Sequence, residues 1–169
     1  MATTRMRGED LSTSGDLPEL GEVVDFRLTG GDLSDHTAAD FPGRLVLNIF
    51  PSIDTPTCAA SVRTFNERAS SIDGVTVLNI SADLPFAQKR FCGTEQLPGV
   101  VTLSTFRSGF LEDTGLMLAE GPLAGLAARA VLVLDEARRV VHVQLVEDLG
   151  HEPDYAAALE AAGKAAGQG

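Results

Sequence analysis

Basic residues are scarce in this chain, whose 169 residues include 13 lysines and arginines against 24 aspartates and glutamates. The net charge of -11 argues against a protein that binds nucleic acid, because contacts to phosphates require clustered cations. Long apolar runs are also missing, and none approaches the roughly 18 residues of a membrane-spanning helix. The first residues lack the apolar stretch of a secretory signal, so we expect a cytoplasmic protein that has no contact with membranes.

Cysteine is rare as well, and the two present, Cys58 and Cys92, do not form the C-x-x-C motif of thiol–disulfide exchange proteins. The three histidines are scattered along the sequence, and none lies at ligand spacing from a cysteine. A glycine-rich phosphate loop is absent. We therefore expect neither a metal centre nor a bound cofactor.

The composition that is present describes a globular protein. Apolar residues make up 44% of the chain, and its length suits one domain with a sizeable core, which we expect to span residues 1–169. Residues 1–20 are punctuated by glycine and serine, a composition that suits either a frayed tail or a weak β-hairpin.

Short apolar runs rich in strand-forming residues alternate with segments of helical spacing. The predicted strands are residues 23–28, 45–50, 75–81, 100–104, 130–134 and 140–146. The predicted helices begin at Pro56, span 85–91 with Gly93 as the stop, and span 153–165, while residues 109–121 are expected to be irregular. This order predicts an α/β fold, a thioredoxin-like mixed sheet with flanking helices and an N-terminal β-hairpin extension.

Cys58 lies where a predicted buried strand gives way to a helix. Thr55 is suited to cap that helix and Pro56 to occupy its first position. Cys58 then falls in the first turn, where unpaired N–H groups and the helix dipole favour negative charge. Because the thiolate is the nucleophile in thiol chemistry, this position suits a reactive sulfur.

Ionisation alone cannot make such a sulfur an efficient catalyst. At an ordinary thiol pKa only about 3% is ionised at pH 7, so complete ionisation raises a rate roughly 30-fold. Positioned donors must therefore stabilise the charge that develops on the reacting oxygens. Two candidates are Thr55, one helical turn before Cys58, and Arg129, a lone arginine among small residues in GLAARAVLVL.

Each of these residues also has a purely structural interpretation. Cys58 could be an inert core residue, Thr55 only a helix cap, and Arg129 a donor to carbonyls at the end of a loop. Cys92, at the end of a predicted helix, could simply be buried, and a disulfide between the two cysteines could be a passive bridge. From the residues alone these alternatives stay open.

Three separated blocks of the sequence carry a family resemblance. They are NIFPSIDTPTCAASVRTFN, NISADLPFAQKRFCG and GPLAGLAARAVLVLDE. They resemble the peroxiredoxins, and specifically the bacterial thiol peroxidases, the atypical two-cysteine branch of that family. The resemblance implies that Cys58 is the peroxidatic cysteine and Cys92 the resolving one. It also implies that Thr55 and Arg129 activate the thiolate and polarise the peroxide, and that Pro51 shields the thiolate from solvent.

The resemblance further implies a complete cycle. A hydroperoxide, either hydrogen peroxide or an organic one, oxidises Cys58 to a sulfenic acid, and Cys92 of the same chain condenses with it to a disulfide. Thioredoxin, the usual reductant of the family, reopens that disulfide by exchange. No metal, haem or flavin is implied, and the usual assembly is a homodimer. Glutathione peroxidases are disfavoured because their site uses a tryptophan, which this chain lacks.

Two other functions use the same cysteine pair. A redox sensor would form the same disulfide without sustained turnover, and a structural disulfide would resist mild reductants. One mechanical expectation follows if the pair is catalytic. Bridged Cα atoms lie within about 7 Å, so we expect residues 57–60 and 85–93 to unwind when the disulfide closes.

Overall fold

The protein is described by a computed structural model that covers residues 1–97 and 100–167. Its strands are β1 Thr3–Met6, β2 Glu9–Ser12, β3 Arg27–Thr29, β4 Asp35–Thr37, β5 Arg44–Ile49, β6 Val75–Ser81, β7 Val101–Ser104, β8 Ala130–Leu134 and β9 Val140–Leu145. Its helices are α1 Pro56–Ala69, α2 Pro85–Thr94, α3 Phe110–Asp113 and α4 Tyr155–Gly167, together with a 3-10 turn at Ala38–Asp40.

β5 lies in the interior of the larger sheet, between β6 and β8. It pairs in parallel with β6 and antiparallel with β8, which makes the sheet mixed. From one edge of the sheet to the other, the described strands lie in the order β4-β3-β7-β6-β5-β8-β9. Every residue of β5 is buried, as expected for a strand that is covered on both faces. The predicted thioredoxin-like mixed sheet is confirmed.

Apolar side chains cover both faces of this sheet. On one face α1 and α4 pack through Phe65 and Leu159 against Val46 of β5. On the other face Leu47 of β5 belongs to a larger core that includes Phe110 of α3. Burial of these side chains is the main favourable contribution to the free energy of folding. It also holds β5 in place, and α1, which carries the first of the two cysteines, follows the C-terminal end of this strand.

The N-terminal extension is a hairpin, as predicted, rather than a frayed tail. β1 pairs antiparallel with β2 from Thr3 opposite Ser12 to Met6 opposite Glu9. The hairpin is held to the body of the protein, since the buried hydroxyl of Thr4 donates to the carbonyl of Val146 at 2.8 Å. A hydrogen bond and apolar packing of this kind order a terminus that would otherwise fray.

The strand predicted over 23–28 is shorter and lies later, at Arg27–Thr29. The first half of that segment bonds elsewhere, because Val24 N–H donates to the Arg138 carbonyl and Val140 N–H donates to the Glu22 carbonyl. The second half turns away to pair with β4 and β7. β4 was not predicted, because its three residues are polar and show no apolar alternation.

The end of α2 also differs from the prediction. The helix runs through Gly93 to Thr94, so Gly93 is not its stop. Gln96, with a φ of 54°, supplies the left-handed residue, and Leu97 N–H donates to the Cys92 carbonyl at 3.0 Å. This pattern is a Schellman motif, which terminates a helix by satisfying its last carbonyls. Cys92 therefore lies in the last turn of α2.

Two smaller differences concern helices near the C-terminal half. α3 occupies part of the segment that was expected to be irregular. α4 begins at Tyr155 rather than at residue 153, because the carboxylate of Asp154 caps it by accepting the N–H of Ala157 at 3.0 Å. Within residues 1–97 and 100–167, no helix has both the length and the apolar content to cross a membrane.

Candidate active site

α1 begins as the sequence predicts. Thr55 is the N-cap, and its Oγ1 accepts the N–H of Cys58 at 3.4 Å, while Pro56 is the first helical residue. These preferences are local, so the sequence was sufficient to find them. The Thr55 hydroxyl also donates to the carbonyl of Ser52 at 3.1 Å, which ties the cap to the loop before the helix.

Cys58 has a fully buried sulfur in an apolar cluster with Phe50, Ile53 and Val62. Among the described residues, the one polar contact of this sulfur comes from Arg129, whose Nη2 donates to Sγ at 3.2 Å. A guanidinium so close stabilises negative charge on the sulfur, and the first turn of α1 adds the positive end of the helix dipole. The arrangement suits a thiolate.

Arg129 is itself 2% exposed and directly precedes β8. Its Nε donates to the carbonyl of Leu149 at 2.9 Å, so the carbonyl-binding interpretation also holds. Among the ion pairs of the described residues none joins Arg129 to a carboxylate. A buried charge without a counter-ion is costly, and a negative charge on Cys58 would balance this guanidinium. Nη1 has no hydrogen-bond partner in the described part of the chain and is available as a donor.

The N-terminal hairpin contributes to the position of Arg129. Leu149, whose carbonyl holds Nε, donates its own N–H to the carbonyl of Arg5 in β1 at 2.8 Å. Leu149 also packs with Leu11 of β2 and Leu118. The hairpin therefore fixes the peptide that orients the guanidinium, a role that no local sequence signal indicated.

Cys92 has a different environment from Cys58. Both thiols are free, and Cys92 is half-buried in the last turn of α2. It lines a cavity of about 470 Å³ together with Lys89, Val101 and Leu103. Burial raises the pKa of the Cys92 thiol above its usual value, so this sulfur stays protonated at neutral pH.

Pro51 is buried at the start of the loop that joins β5 to α1. This loop is held by Asp83, which the sequence analysis did not single out. Its carboxylate accepts the N–H of Ile53 at 2.7 Å and the hydroxyl of Ser52 at 2.8 Å. Because Asp83 lies just before α2, one side chain connects the segments that carry the two cysteines.

A second group that the sequence analysis missed is polar and buried beneath α1. Ser61, Asn48 and Asn79 are each no more than 1% exposed. A signal for the asparagines was present, since each carries an amide within a predicted buried strand and is flanked on both sides by apolar residues. Buried amides require hydrogen-bond partners, and such a pair in neighbouring strands indicates that they bond to each other.

The structure thus brings Thr55, Cys58 and Arg129 into one site with direct contacts. Pro51 lies in the adjoining loop, and Cys92 lines a separate cavity. Within the described parts of the chain, no cluster of three or more His, Cys, Asp or Glu side chains could hold a metal ion. The geometry defines a site for thiol chemistry on a thioredoxin-like scaffold.

Comparisons with known proteins identify the family of this chain. The Redoxin family matches residues 18–159. A thiol peroxidase of Corynebacterium glutamicum is 51% identical over 163 residues, which cover 95% of this chain and 99% of the relative. A thiol peroxidase of Mycobacterium tuberculosis is 51% identical over 165 residues, with 96% and 99% covered.

Solved structures give the same result for the fold. A peroxiredoxin-like protein from Aquifex aeolicus superposes with a TM-score of 0.90 at 32% identity and covers 98% of both chains. A thiol peroxidase from Chromobacterium violaceum has a TM-score of 0.85 at 23% identity over 95% of both chains. This chain therefore belongs to the Redoxin family and, within it, to the thiol peroxidases of the bacterial peroxiredoxins.

Proposed function

We propose that this chain, an enzyme of the thiol peroxidase class, reduces hydrogen peroxide and organic hydroperoxides with Cys58 as the attacking sulfur. The observation that carries the proposal is the 3.2 Å contact between Arg129 Nη2 and Cys58 Sγ. Both groups are buried, so water screens their interaction much less than at the surface. In this proposal residues 1–169 act as one domain.

The first step oxidises Cys58. Its thiolate attacks the terminal oxygen of the hydroperoxide, the O–O bond breaks, and the alkoxide that leaves takes a proton to become an alcohol, or water in the case of hydrogen peroxide. Cys58 becomes a sulfenic acid. The free Nη1 of Arg129 is the donor that we assign to the peroxide oxygens as they acquire charge.

Thr55 and Pro51 support that step in different ways. Thr55 holds the turn that presents the sulfur, and its hydroxyl can rotate from the Ser52 carbonyl to donate to a bound peroxide. Pro51 has no N–H and is buried beside the site, so it excludes water without offering a competing donor. A water-poor site strengthens each electrostatic contact to the reacting oxygens.

The second step uses Cys92. Its sulfur attacks the sulfenic sulfur of Cys58, a disulfide forms, and water leaves. The two thiols start in different surroundings, one in the cluster under α1 and the other lining a separate cavity. We therefore propose that residues 57–60 and 85–93 unwind locally to bring the sulfurs together.

We further propose that thioredoxin reopens the disulfide by thiol exchange, and that the enzyme works as a homodimer in the cytoplasm. Once α2 has unwound, a dithiol reductant can reach the Cys58–Cys92 disulfide and open it by exchange. Leu84 and Phe86 at the start of α2 are 50% and 67% exposed. Large exposed apolar side chains beside a site are a suitable contact for a second copy of the chain.

A thioredoxin-coupled peroxidase assay tests the proposal. The wild type should consume many equivalents of peroxide, and Cys58→Ser should have no activity. Cys92→Ser should consume one equivalent, form a sulfenic acid at Cys58 that dimedone traps, and then stop. Retention of turnover by Cys58→Ser would refute the assignment of the attacking sulfur.

The same assay separates the two other uses of the cysteine pair. A redox sensor would form the Cys58–Cys92 disulfide and stop after one equivalent even with thioredoxin present. A structural disulfide would form without any consumption of peroxide and would resist mild reductant. Sustained turnover by the wild type excludes both.

A further inference from the structure

A chain of buried hydrogen bonds begins at the backbone of the reactive cysteine. The hydroxyl of Ser61 donates to the carbonyl of Cys58 at 2.7 Å. Its oxygen in turn accepts an N–H of the Asn48 side chain at 3.1 Å. Asn48 lies in β5, directly beneath α1. Its side chain therefore connects the first turn of the helix to β5 through Ser61.

The chain continues across the sheet. The same Asn48 amide donates to Oδ1 of Asn79 at 3.0 Å, and the two residues are direct partners in the β5–β6 register. Nδ2 of Asn79 then donates to the carbonyl of Val101 in β7 at 3.1 Å. Val101 lines the cavity that holds Cys92. The bonds therefore run from the peptide of one cysteine to the wall around the other.

In the proposed cycle the first turn of α1 opens and the rest of the helix stays folded. The hydrogen bond from Ser61 to the Cys58 carbonyl lies at the boundary between these two parts. If residues 57–60 unwind to form the disulfide, the Cys58 carbonyl leaves while Ser61, which is completely buried, remains in the helix. The 2.7 Å bond must break at that moment. Loss of one buried hydrogen bond changes an equilibrium constant by about fivefold, and more if a donor is left unpaired.

We propose that Ser61 is a positioning residue of the catalytic cycle, which holds the Cys58 turn closed and so sets how long the sulfenic acid waits before it reaches Cys92. This inference rests on the proposed cycle. It extends that cycle, because it assigns the control of its second step to a residue that touches neither peroxide nor Cys92.

The waiting time decides between two fates of the sulfenic acid. In one, the Cys92 sulfur attacks it, a disulfide forms and water leaves. In the other, a second hydroperoxide transfers an oxygen to it, giving a sulfinic acid and an alcohol or water, and the enzyme is inactivated. A tighter turn favours the second fate. A looser turn favours the disulfide.

The test compares Ser61→Ala with Ser71→Ala. Ser71 makes the same type of bond, from its hydroxyl to the carbonyl of Arg68 at 3.0 Å, but just beyond the other end of α1. Each variant is treated with increasing hydrogen peroxide in the presence of thioredoxin, and the sulfinic and disulfide forms of Cys58 are quantified by mass spectrometry.

We expect Ser61→Ala to require about fivefold more peroxide than the wild type for half of Cys58 to become sulfinic acid, and Ser71→Ala to behave as the wild type. Ser61→Thr keeps the hydroxyl and should restore the wild-type ratio of the sulfinic to the disulfide form of Cys58. A ratio that is the same in Ser61→Ala and Ser71→Ala would overturn the inference. Absence of any Cys58–Cys92 disulfide in the wild type would instead refute the proposed cycle.

A second variant covers the case in which Ser61→Ala does not fold, as judged by circular dichroism. Asn48→Ala removes the amide that orients the Ser61 hydroxyl, so it should shift the ratio in the same direction by a smaller factor. An unchanged ratio in folded Asn48→Ala would then contradict the role given to Ser61.

Discussion

The two cysteines lie at opposite ends of their helices. Cys58 is in the first turn of α1, fully buried, with a guanidinium 3.2 Å from its sulfur. Cys92 is in the last turn of α2, half-buried, and burial raises its pKa. The helix dipole favours an anion at the first position and disfavours one at the second. In the cycle that we propose, the first position suits the sulfur that attacks and the second suits the sulfur that stays neutral until the second step.

The difference between the two cysteine sites should decrease most when the guanidinium of Arg129 is removed. Arg129→Gln leaves an uncharged amide donor on a shorter side chain, so we expect the second-order rate of Cys58 oxidation to fall about 100- to 1,000-fold. Stopped-flow measurement with hydrogen peroxide in the Cys92→Ser background gives this rate directly.

Arg138→Gln is the matched control for that experiment. Arg138 is partly buried, and within the described residues its guanidinium donates to backbone carbonyls alone, including that of Phe41 at 2.6 Å. The substitution should lower the free energy of unfolding and leave the oxidation rate unchanged. Equal losses of rate in the two variants would mean that Arg129 acts through folding alone.

The pH dependence of Cys92 reactivity tests the second half of this comparison. Because the pKa of Cys92 is raised above its usual value of about 8.5, its thiolate fraction stays far below one-half between pH 6 and 8. Its alkylation rate in Cys58→Ser should therefore rise about tenfold per pH unit over that range. An alkylation rate that is independent of pH over that range would contradict the raised pKa of Cys92.

Loss of the N-cap of α1 should lower the rate of Cys58 oxidation, whereas loss of the N-cap of α4 should not. Thr55→Val removes the cap beside Cys58, and Asp154→Ala removes the cap of α4. Each should cost about 1 kcal/mol in the free energy of unfolding, measured by urea denaturation. Only Thr55→Val should also lower the rate of Cys58 oxidation, by about tenfold. A similar loss of rate in Asp154→Ala would argue against a specific role for Thr55.

The smallest effect concerns the end of α2. Gln96 has a φ of 54°, so Gln96→Gly should remove strain and stabilise the Schellman motif by about 0.5–1 kcal/mol. A firmer helix end should slow formation of the Cys58–Cys92 disulfide by about two- to fivefold in rapid-quench experiments. Arg7→Gly, at a φ of 52° in the β1–β2 turn, is the control and should leave that step unchanged.

The two cysteine sites also differ in how far the sequence could predict them. The start of α1 was predicted correctly, because Thr55 and Pro56 act within one helical turn. The end of α2 was predicted wrongly at Gly93, because a glycine near a helix end was weighed above the left-handed turn that Gln96 adopts. Glycine is only the usual residue for that turn, so composition could not identify its place.

Contacts that join distant segments were beyond the reach of sequence patterns. Arg129 stood out as a lone arginine, but its Leu149 partner depends on where the N-terminal hairpin docks. The contacts of Asp83 with Ile53 and of Asn48 with Ser61 likewise depend on segments that meet only in the folded protein. Local capping and apolar periodicity fix the elements. Packing decides which polar groups meet between them.

The charge on Cys58 can be measured most directly from thiolate absorbance near 240 nm at pH 7. If Arg129 holds this sulfur as an anion, Cys92→Ser should show the absorbance of about one thiolate, which Cys58→Ser and the double variant Cys92→Ser, Arg129→Gln should lack. Equal absorbance in Cys92→Ser with and without Arg129 would contradict the account, because the guanidinium would then not be what keeps the sulfur charged.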